Sequence, residues 1–363
     1  MSPRLGVIAE SAWHRVPGGT HRAFAATLDA LVGLDRFRVT GIAAAHRERR
    51  DLPIPVRHHR LPRPALYEAW HHLGRPSVAG GPYDVIWSPA VVVPPRSASS
   101  TDAPMVVTVH DVDFLDHPEY LSRRGRWFHP KAFAVACERA DRLVVPSSVV
   151  ADAVVGHGAD PARVRVVPWG VDPIEPEAEP GRLPAGLPSR FVLWVGTVEP
   201  RKNLGRLVEA MAHNGVDLVV VGPDGWELDG RDVLAPLGDR VHRLGFVDDA
   251  ELRALYAAAT VFVFPSLAEG FGLPVLEAMA AGTPVVTSAG TATEEVAAGA
   301  ARLVDPTDVA SIAAAIEEVV GDDEVRARLV SAGSARAASA TWGATAEGYA
   351  RVFEELVSGG KTA

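Results

Sequence analysis

Residues 266–286 read SLAEGFGLPVLEAMAAGTPVV, with Glu269 and Glu277 either side of a Gly-Phe-Gly-Leu-Pro step. Phe264-Pro265-Ser266 ends a β-type run, and Pro274 suits a first helical position, where its missing N–H would be unpaired anyway. Gly270, Phe271 and Gly272 are therefore expected to form a strand-to-helix turn. The backbone N–H groups of Gly270–Leu273, with the helix dipole behind them, suit an anion. Glu269 falls just before the turn and Glu277 in the first helical turn, so both are placed to face one cleft. A carboxylate accepts hydrogen bonds through two oxygens, which matches the vicinal hydroxyls of a sugar or ribose. The plainer alternative is a solvated Glu269 and a Glu277 favoured by the dipole alone.

A second cluster is WVGTVEPRKNLGRLVEAM (194–211). A strand is expected to end at Val195-Gly196-Thr197 and a helix to begin near Asn203. Arg201 and Lys202 then stand at that helix start, where amides and two cations would clamp a diphosphate. The chain holds 33 arginines and three lysines, Lys131, Lys202 and Lys361, so a lysine here hints at a use for a compact ammonium. The alternative is a solvated Arg-Lys pair.

Two further stretches lie in the first half. VPGGTHRAF (16–24) places Gly18-Gly19 between the first strand and the first helix, where a ligand could approach the backbone. It does not spell the dinucleotide fingerprint G-x-G-x-x-G. TVHDVDFLDHPEY (108–120) puts His110 at a strand end, in ligand-binding position. His110, Asp111, Asp113, Asp116 and His117 match no zinc spacing, so no metal site is expected. There is no G-x-S-x-G elbow, and GGKT (359–362) has Glu355 where a phosphate loop needs its first glycine.

These residues have to be positioned by something. LGVIA (5–9), FRVTGIA (37–43), DVIWSP (84–89), MVVTVHD (105–111), DRLVVPS (141–147) and RVRVVPW (163–169) read as strands, with helices over 20–33, 122–139 and 147–157. After a proline-rich stretch the alternation restarts. Strands are expected at 191–196, 216–222, 240–246, 260–266, 283–288 and 301–305, and helices at 203–213, 249–259, 273–281, 308–320 and 323–338. The fold class is α/β: two doubly wound, Rossmann-like domains facing across a cleft that takes the ligand. The expected domains are 1–172 and 191–338, with a linker at 173–190 and a final helical segment, 339–363, returning to the first domain.

Composition bounds the function. The chain has 363 residues, 47% of them hydrophobic and 22% charged, and a net charge of −9. Residues 1–180 carry +1 and residues 181–363 carry −10, an acidic second half that argues against nucleic-acid binding. The stretch HRERRDLPIPVRHHRLPRP (46–64) is basic. It reads as a solvated edge, or as a contact for an anionic acceptor or a membrane surface carrying one. No apolar run reaches the ~18 residues of a membrane span. A single cysteine, Cys137, fits a reducing, cytoplasmic setting.

Taken together, Gly18-Gly19, His110-Asp111, Arg201-Lys202-Asn203 and the pair Glu269…Glu277 around EGFGLP resemble the retaining family 4 glycosyltransferases of the GT-B fold. PWGVD (168–172) and the last helix from Trp342 match as well. The stretch around His110 is similar to the mannosyltransferase-like branch. Two positions depart from the pattern: Trp169 stands where the family often has Asn, and Thr293-Glu294-Glu295-Val296 where many members have Pro-Glu-Val.

The resemblance implies a nucleoside-diphosphate sugar as donor, GDP-mannose first and UDP-hexose next. It implies a glycan, glycolipid or small-molecule acceptor held largely by the first domain. By similarity Arg201 and Lys202 hold the diphosphate and Glu277 the ribose. Glu269 and the Gly270–Leu273 backbone hold the sugar, and His110 touches it near the reacting carbon. Gly19, with Gly18, sits by the phosphates or acceptor, Gly196 by the donor, and residues from Phe246 to Glu251 line the base. The family further implies retention of configuration and no divalent metal. A sugar-nucleotide epimerase on the same fold would share the donor site, and a silent sugar-nucleotide or glycan-binding protein would lack turnover. A nicotinamide oxidoreductase lacks its glycine fingerprint here.

Overall fold

The structure is a computed structural model that describes residues 2–13, 18–48, 50–95, 103–121, 123–173, 181–212, 214–225 and 229–359. The chain divides into two compact units, Met1–Trp169 with Trp342–Ala363, and Gly170–Thr341. Residues 174–180 of the proline-rich linker and the GKT of 360–362 lie outside the described residues.

The first unit is built on seven strands: β1 (Arg4–Ile8), β2 (Arg38–Ala43), β3 (Val56–His58), β4 (Val85–Ser88), β5 (Met105–Thr108), β6 (Arg142–Val145) and β7 (Val164–Val166). They pair in parallel in the order β3-β2-β1-β4-β5-β6-β7. Both faces of the sheet are buried, since Val106 joins one apolar cluster and its neighbours Met105 and Val107 another. A parallel sheet covered on both sides needs such uninterrupted apolar runs. β3 is a finding of the structure: it lies inside the basic 46–64 stretch, where charge hides the strand signal of a three-residue edge.

The last helix, Trp342–Gly359, packs in this first unit. Tyr349 reaches the hydroxyl of Thr108 at 2.9 Å, and the Trp87 indole donates to the same hydroxyl at 3.0 Å. Phe353 lies against Trp87 and Phe37, and Glu355 pairs with Arg142 and Arg165. A buried stripe at helical spacing, ringed by ion pairs, thus completes the core far from it in sequence.

The second unit has six parallel strands: β8 (Phe191–Val195), β9 (Asp217–Val221), β10 (Val241–Gly245), β11 (Val261–Phe264), β12 (Val285–Ser288) and β13 (Arg302–Val304). Their order is β10-β9-β8-β11-β12-β13, so the winding reverses between β8 and β11. Crevices at such a reversal, at the carboxyl ends of the strands, are where open α/β sheets take ligands. The five expected helices are found as Leu204–Met211, Asp249–Ala258, Leu273–Ala280, Val309–Gly321 and Asp323–Ser339, together with short ones at Gly230–Leu234 and Ala292–Ala297. Gly333 lets Asp323–Ser339 approach Leu273–Ala280, because a Cβ there would sit 3.1 Å from Met279 Cγ.

Candidate functional site

In the second unit β8 and β11 exit side by side at the winding reversal, and each releases one half of a charged cluster. After β8, Pro200–Lys202 forms a single 3-10 turn that ends in Asn203 with φ 58°, ψ 29°. Arg201 and Lys202 therefore stand just before the helix, which starts at Leu204 with Asn203 as its cap, close to the start expected near Asn203. The left-handed residue separates the two elements, and Asn tolerates that conformation better than other side chains. Asn203 is also buried. Its amide donates to the carbonyls of Pro265 at 2.8 Å and Pro306 at 2.7 Å, and its Oδ1 accepts from Arg206 at 2.9 Å. One side chain thereby ties the exit of β8 to the loops after β11 and β13.

After β11, Glu269 comes back to meet the cations. Lys202 Nζ lies 2.6 Å from its Oε1, and Arg201 Nη1 donates to Oε2 at 2.9 Å and to the Ala268 carbonyl at 2.8 Å. The other guanidinium nitrogen, Nη2, donates to Glu199 at 2.8 Å. The Lys202 ammonium also sits 4.7 Å from the Phe264 ring centroid, a cation–π contact. Burial pushes the Glu269 carboxyl up, but the Lys202 and Arg201 charges outweigh it and hold it at about 2. The side chain of Glu269 is 8% exposed and that of Lys202 14%, so neither the glutamate nor the Arg-Lys pair is a solvated surface group.

The turn that follows differs from expectation in one respect. Gly272, at φ 100°, is the cap and the helix starts at Leu273, so Pro274 is the second helical residue. Glu277 then falls one turn into the helix and outside its first turn. Its Oε2 accepts from the Tyr256 hydroxyl at 3.1 Å, which orients it without help from the helix dipole. Gly270, Phe271, Gly272 and Leu273 are all buried. A Cβ on Gly272 would lie 2.6 Å from Thr293 Cγ2, so φ and space both demand glycine. Thr293 belongs to a hydroxyl chain from Thr291 through Thr293 to Thr287, which donates to the Phe264 carbonyl at 2.9 Å. Ser288 likewise donates to the Ser266 carbonyl at 2.6 Å, so the exit of β12 braces the Glu269 loop.

Gly196 N–H donates to the Val221 carbonyl at 2.9 Å, and prolongs the β8–β9 pairing past the strand ends. Phe246 follows β10 and is 71% exposed, an aromatic face on the carboxyl edge of the same sheet. Asp248 caps the next helix by accepting from Glu251 N–H at 2.8 Å.

The remaining expected residues belong to the first unit. Gly18 caps the helix Gly19–Gly33, and a Cβ on either Gly18 or Gly19 would meet nothing within 4 Å. His110 follows β5, and its Nε2–H donates to the Pro89 carbonyl at 2.8 Å, since a carbonyl can only accept. Trp169 meets the His110 ring edge-on at 5.4 Å. The tryptophan that departs from the family pattern thus packs on the histidine. The basic 46–64 stretch is only partly a solvated edge. His46 turns inward to the buried Glu10 at 3.1 Å and stacks on Trp13 at 4.4 Å, while Arg47, Arg57 and Arg60 stay exposed. Among the described residues no group of three or more His, Cys, Asp or Glu is placed to hold a metal ion. No described helix is long and apolar enough to cross a membrane.

Sequence reasoning did not single out Glu199 or Tyr256, and it noted Thr293 only as a departure from the family pattern. Glu199 carried a signal, since an acid two residues before Arg201 can share its fork. Tyr256 carried none, because its contact is with Glu277 on a neighbouring helix, and the packing of Thr293 on Gly272 was likewise invisible in the sequence.

Residues 177–336 match the family model described as Glycosyl transferases group 1, and residues 17–175 that described as Glycosyltransferase Family 4. The O-antigen chain mannosyltransferase B of Escherichia coli is 33% identical over 254 residues, 65% of this chain and 66% of that protein. The MMP alpha-(1->4)-mannosyltransferase of Mycolicibacterium hassiacum is 31% identical over 278 residues, 70% of this chain and 66% of that one. The chain thus spans just under two thirds of the length of these relatives. Among solved structures, sucrose-phosphate synthase from Thermosynechococcus elongatus aligns with a TM-score of 0.74 at 22% identity, covering 99% of this chain and 100% of that one. Anabaena HepE in complex with UDP and glucose aligns with a TM-score of 0.69 at 19% identity, covering 97% and 100%. At such identities these two likenesses speak to the fold.

Proposed function

The chain belongs to the family 4 glycosyltransferases of the GT-B fold, and on that premise we propose that it moves a hexose, mannose first, from a nucleoside-diphosphate sugar to an acceptor hydroxyl. The observation that carries this reading is the Arg201–Lys202–Glu269 cluster at the winding reversal of the second sheet. Departure of a nucleoside diphosphate builds negative charge on the β-phosphate. A fixed guanidinium and ammonium stabilise that charge more in the transition state than in the ground state, which is the condition for catalysis. Two cations in place give a reason for a reaction without a divalent metal. The sugar turns cation-like as the bond breaks, and a carboxylate held ionised by its surroundings is suited to lie beside it.

In this reading Glu277, held by Tyr256, takes the ribose hydroxyls, and Phe246 stacks on the base. The Gly270–Leu273 backbone follows the sugar. Gly196 lies alongside the donor, and Gly18, Gly19 and His110 serve from the first unit. Configuration is retained by attack on the face the phosphate leaves, with that phosphate taking the acceptor proton. Trapping a glycosyl-enzyme adduct would exclude this route. The mannosyltransferase names of the relatives favour GDP-mannose, and HepE, solved with UDP and glucose, keeps UDP-hexose as the alternative donor. The acceptor is a glycan, glycolipid or small molecule.

The test is a thermal-shift panel with GDP, UDP and ADP, their sugar conjugates and NAD, with and without chelator, on the wild type and Lys202→Ala. A ligand at 100 times its dissociation constant stabilises by about 2.7 kcal/mol. A shift with one base, unchanged by chelator and lost in Lys202→Ala, is the expected result. No shift with any nucleotide would overturn the reading.

A further inference from the structure

The two cations proposed to hold the donor diphosphate are already occupied. Lys202 Nζ is 2.6 Å from one oxygen of Glu269, and Arg201 Nη1 is 2.9 Å from the other. Arg201 Nη2 is 2.8 Å from Glu199. Two carboxylates against two cations leave the cluster formally neutral. A diphosphate brings more negative charge than either carboxylate, and its oxygens need the same N–H donors. Arg201 Nη1 already gives its two N–H groups to Glu269 and Ala268, so a diphosphate competes with Glu269 there and for the charge of the Lys202 ammonium.

The two glutamates are not equivalent in this exchange. Glu269 spans both cations with one carboxylate, so turning a single side chain releases both at once. Glu199 touches a different nitrogen of Arg201 and is adjacent to the same 3-10 turn, Pro200–Lys202. Arg201 can lose Glu269 and still be held through Nη2, with its fork aimed as before.

We infer that Glu269 is displaced from Arg201 and Lys202 by the donor diphosphate, while Glu199 keeps its hold and acts as the positioning residue for Arg201. The inference rests on the donor reading above. Displacement turns a neutral cluster into a cationic one at the moment the diphosphate arrives. It also leaves a buried carboxylate in want of donors, which sugar hydroxyls supply and a bare nucleoside diphosphate does not. Diphosphate binding is thus coupled to presenting Glu269 to the sugar.

The experiment is calorimetric titration of wild type, Glu269→Gln, Glu269→Asp and Glu199→Gln with GDP and UDP and with the monophosphates GMP and UMP. Glu269→Gln removes the competing charge, and we expect it to bind the diphosphate preferred by wild type about tenfold tighter, with a smaller gain for the monophosphate. Turnover falls in the same variant. Glu269→Asp keeps a carboxylate in the cluster but shortens its reach to Lys202, so it also tightens diphosphate binding and covers the case in which the glutamine variant does not fold. Glu199→Gln removes a negative charge too, yet it is expected to weaken diphosphate binding, because the charge-assisted bond that aims Arg201 Nη2 is lost while the Ala268 carbonyl holds Nη1. Equal tightening in Glu199→Gln and Glu269→Gln would mean bulk electrostatics and overturn the positioning role. Unchanged or weaker diphosphate binding in both Glu269 variants, with wild type binding normally, would overturn the displacement. A wild type that binds no nucleotide refutes the donor reading itself, and this inference with it.

Discussion

Replacing Asn203 by alanine removes the tie that fixes the Arg201–Lys202 turn. The native side chain makes two buried donor contacts, to Pro265 and Pro306 carbonyls at 2.8 and 2.7 Å. Each carbonyl left without a partner costs about 1–3 kcal/mol. The backbone at φ 58° adds about 1 kcal/mol for alanine, which lacks the local hydrogen bonding that makes asparagine tolerable there. Together these set an expected loss of about 3–7 kcal/mol in the second unit. Asn203→Gly should recover roughly 1 kcal/mol of it, since glycine accepts the left-handed conformation but restores neither hydrogen bond. Hydrogen exchange of the β8 and β11 amides reads the second unit directly and does not require the whole chain to unfold in one step. Loss of protection in β8, β11 and the 265–269 loop is expected, together with weaker nucleoside-diphosphate binding. A loss below about 1 kcal/mol, or equal losses in the alanine and glycine variants, would refute the reasoning.

The carboxyl of Glu269, held at about 2, lies below its usual range, so its contribution is present above about pH 4.5 and is lost as pH falls towards 2. That contribution is at most about 3 kcal/mol. Urea unfolding of wild type should show this loss over the acid range, and Glu269→Gln should show a shallower pH slope. Gly272→Ala meets both a φ of 100° and the Thr293 methyl at 2.6 Å, and should cost about 2–3 kcal/mol in thermal unfolding. Phe246→Ala, at a 71% exposed position, should leave the melting temperature unchanged and weaken nucleotide binding about tenfold if the ring stacks on the base. Equal affinities would remove Phe246 from the donor site.

How much was legible in the sequence varied with the range of the interaction. The β-branched runs alternating with amphipathic stretches determined two doubly wound sheets, because parallel strands buried on both faces allow little else. The glycine-rich turn before Pro274, the Arg201-Lys202 pair and the two flanking glutamates were visible as chemistry, since their types and spacing are local. Strand β3 was not legible, as three residues inside a run of arginines and histidines carry no periodic signal. The place of Glu277 in its helix shifted by one residue, from the first turn to just beyond it, because Gly272, and not the residue before Pro274, is the cap.

What tertiary structure alone decided is which charges meet. Glu269 and Lys202 are 67 positions apart and touch because β8 and β11 are neighbours across the winding reversal. The same adjacency put Asn203 on Pro265, and the β11–β12 pairing put the Thr287–Thr293 hydroxyl chain behind the glutamate loop. Sequence spacing specifies residues a turn or a strand apart. Strand order, set by how the helices cover the sheet, specifies the rest, and with it whether a glutamate is a solvated acid or the buried partner of two cations.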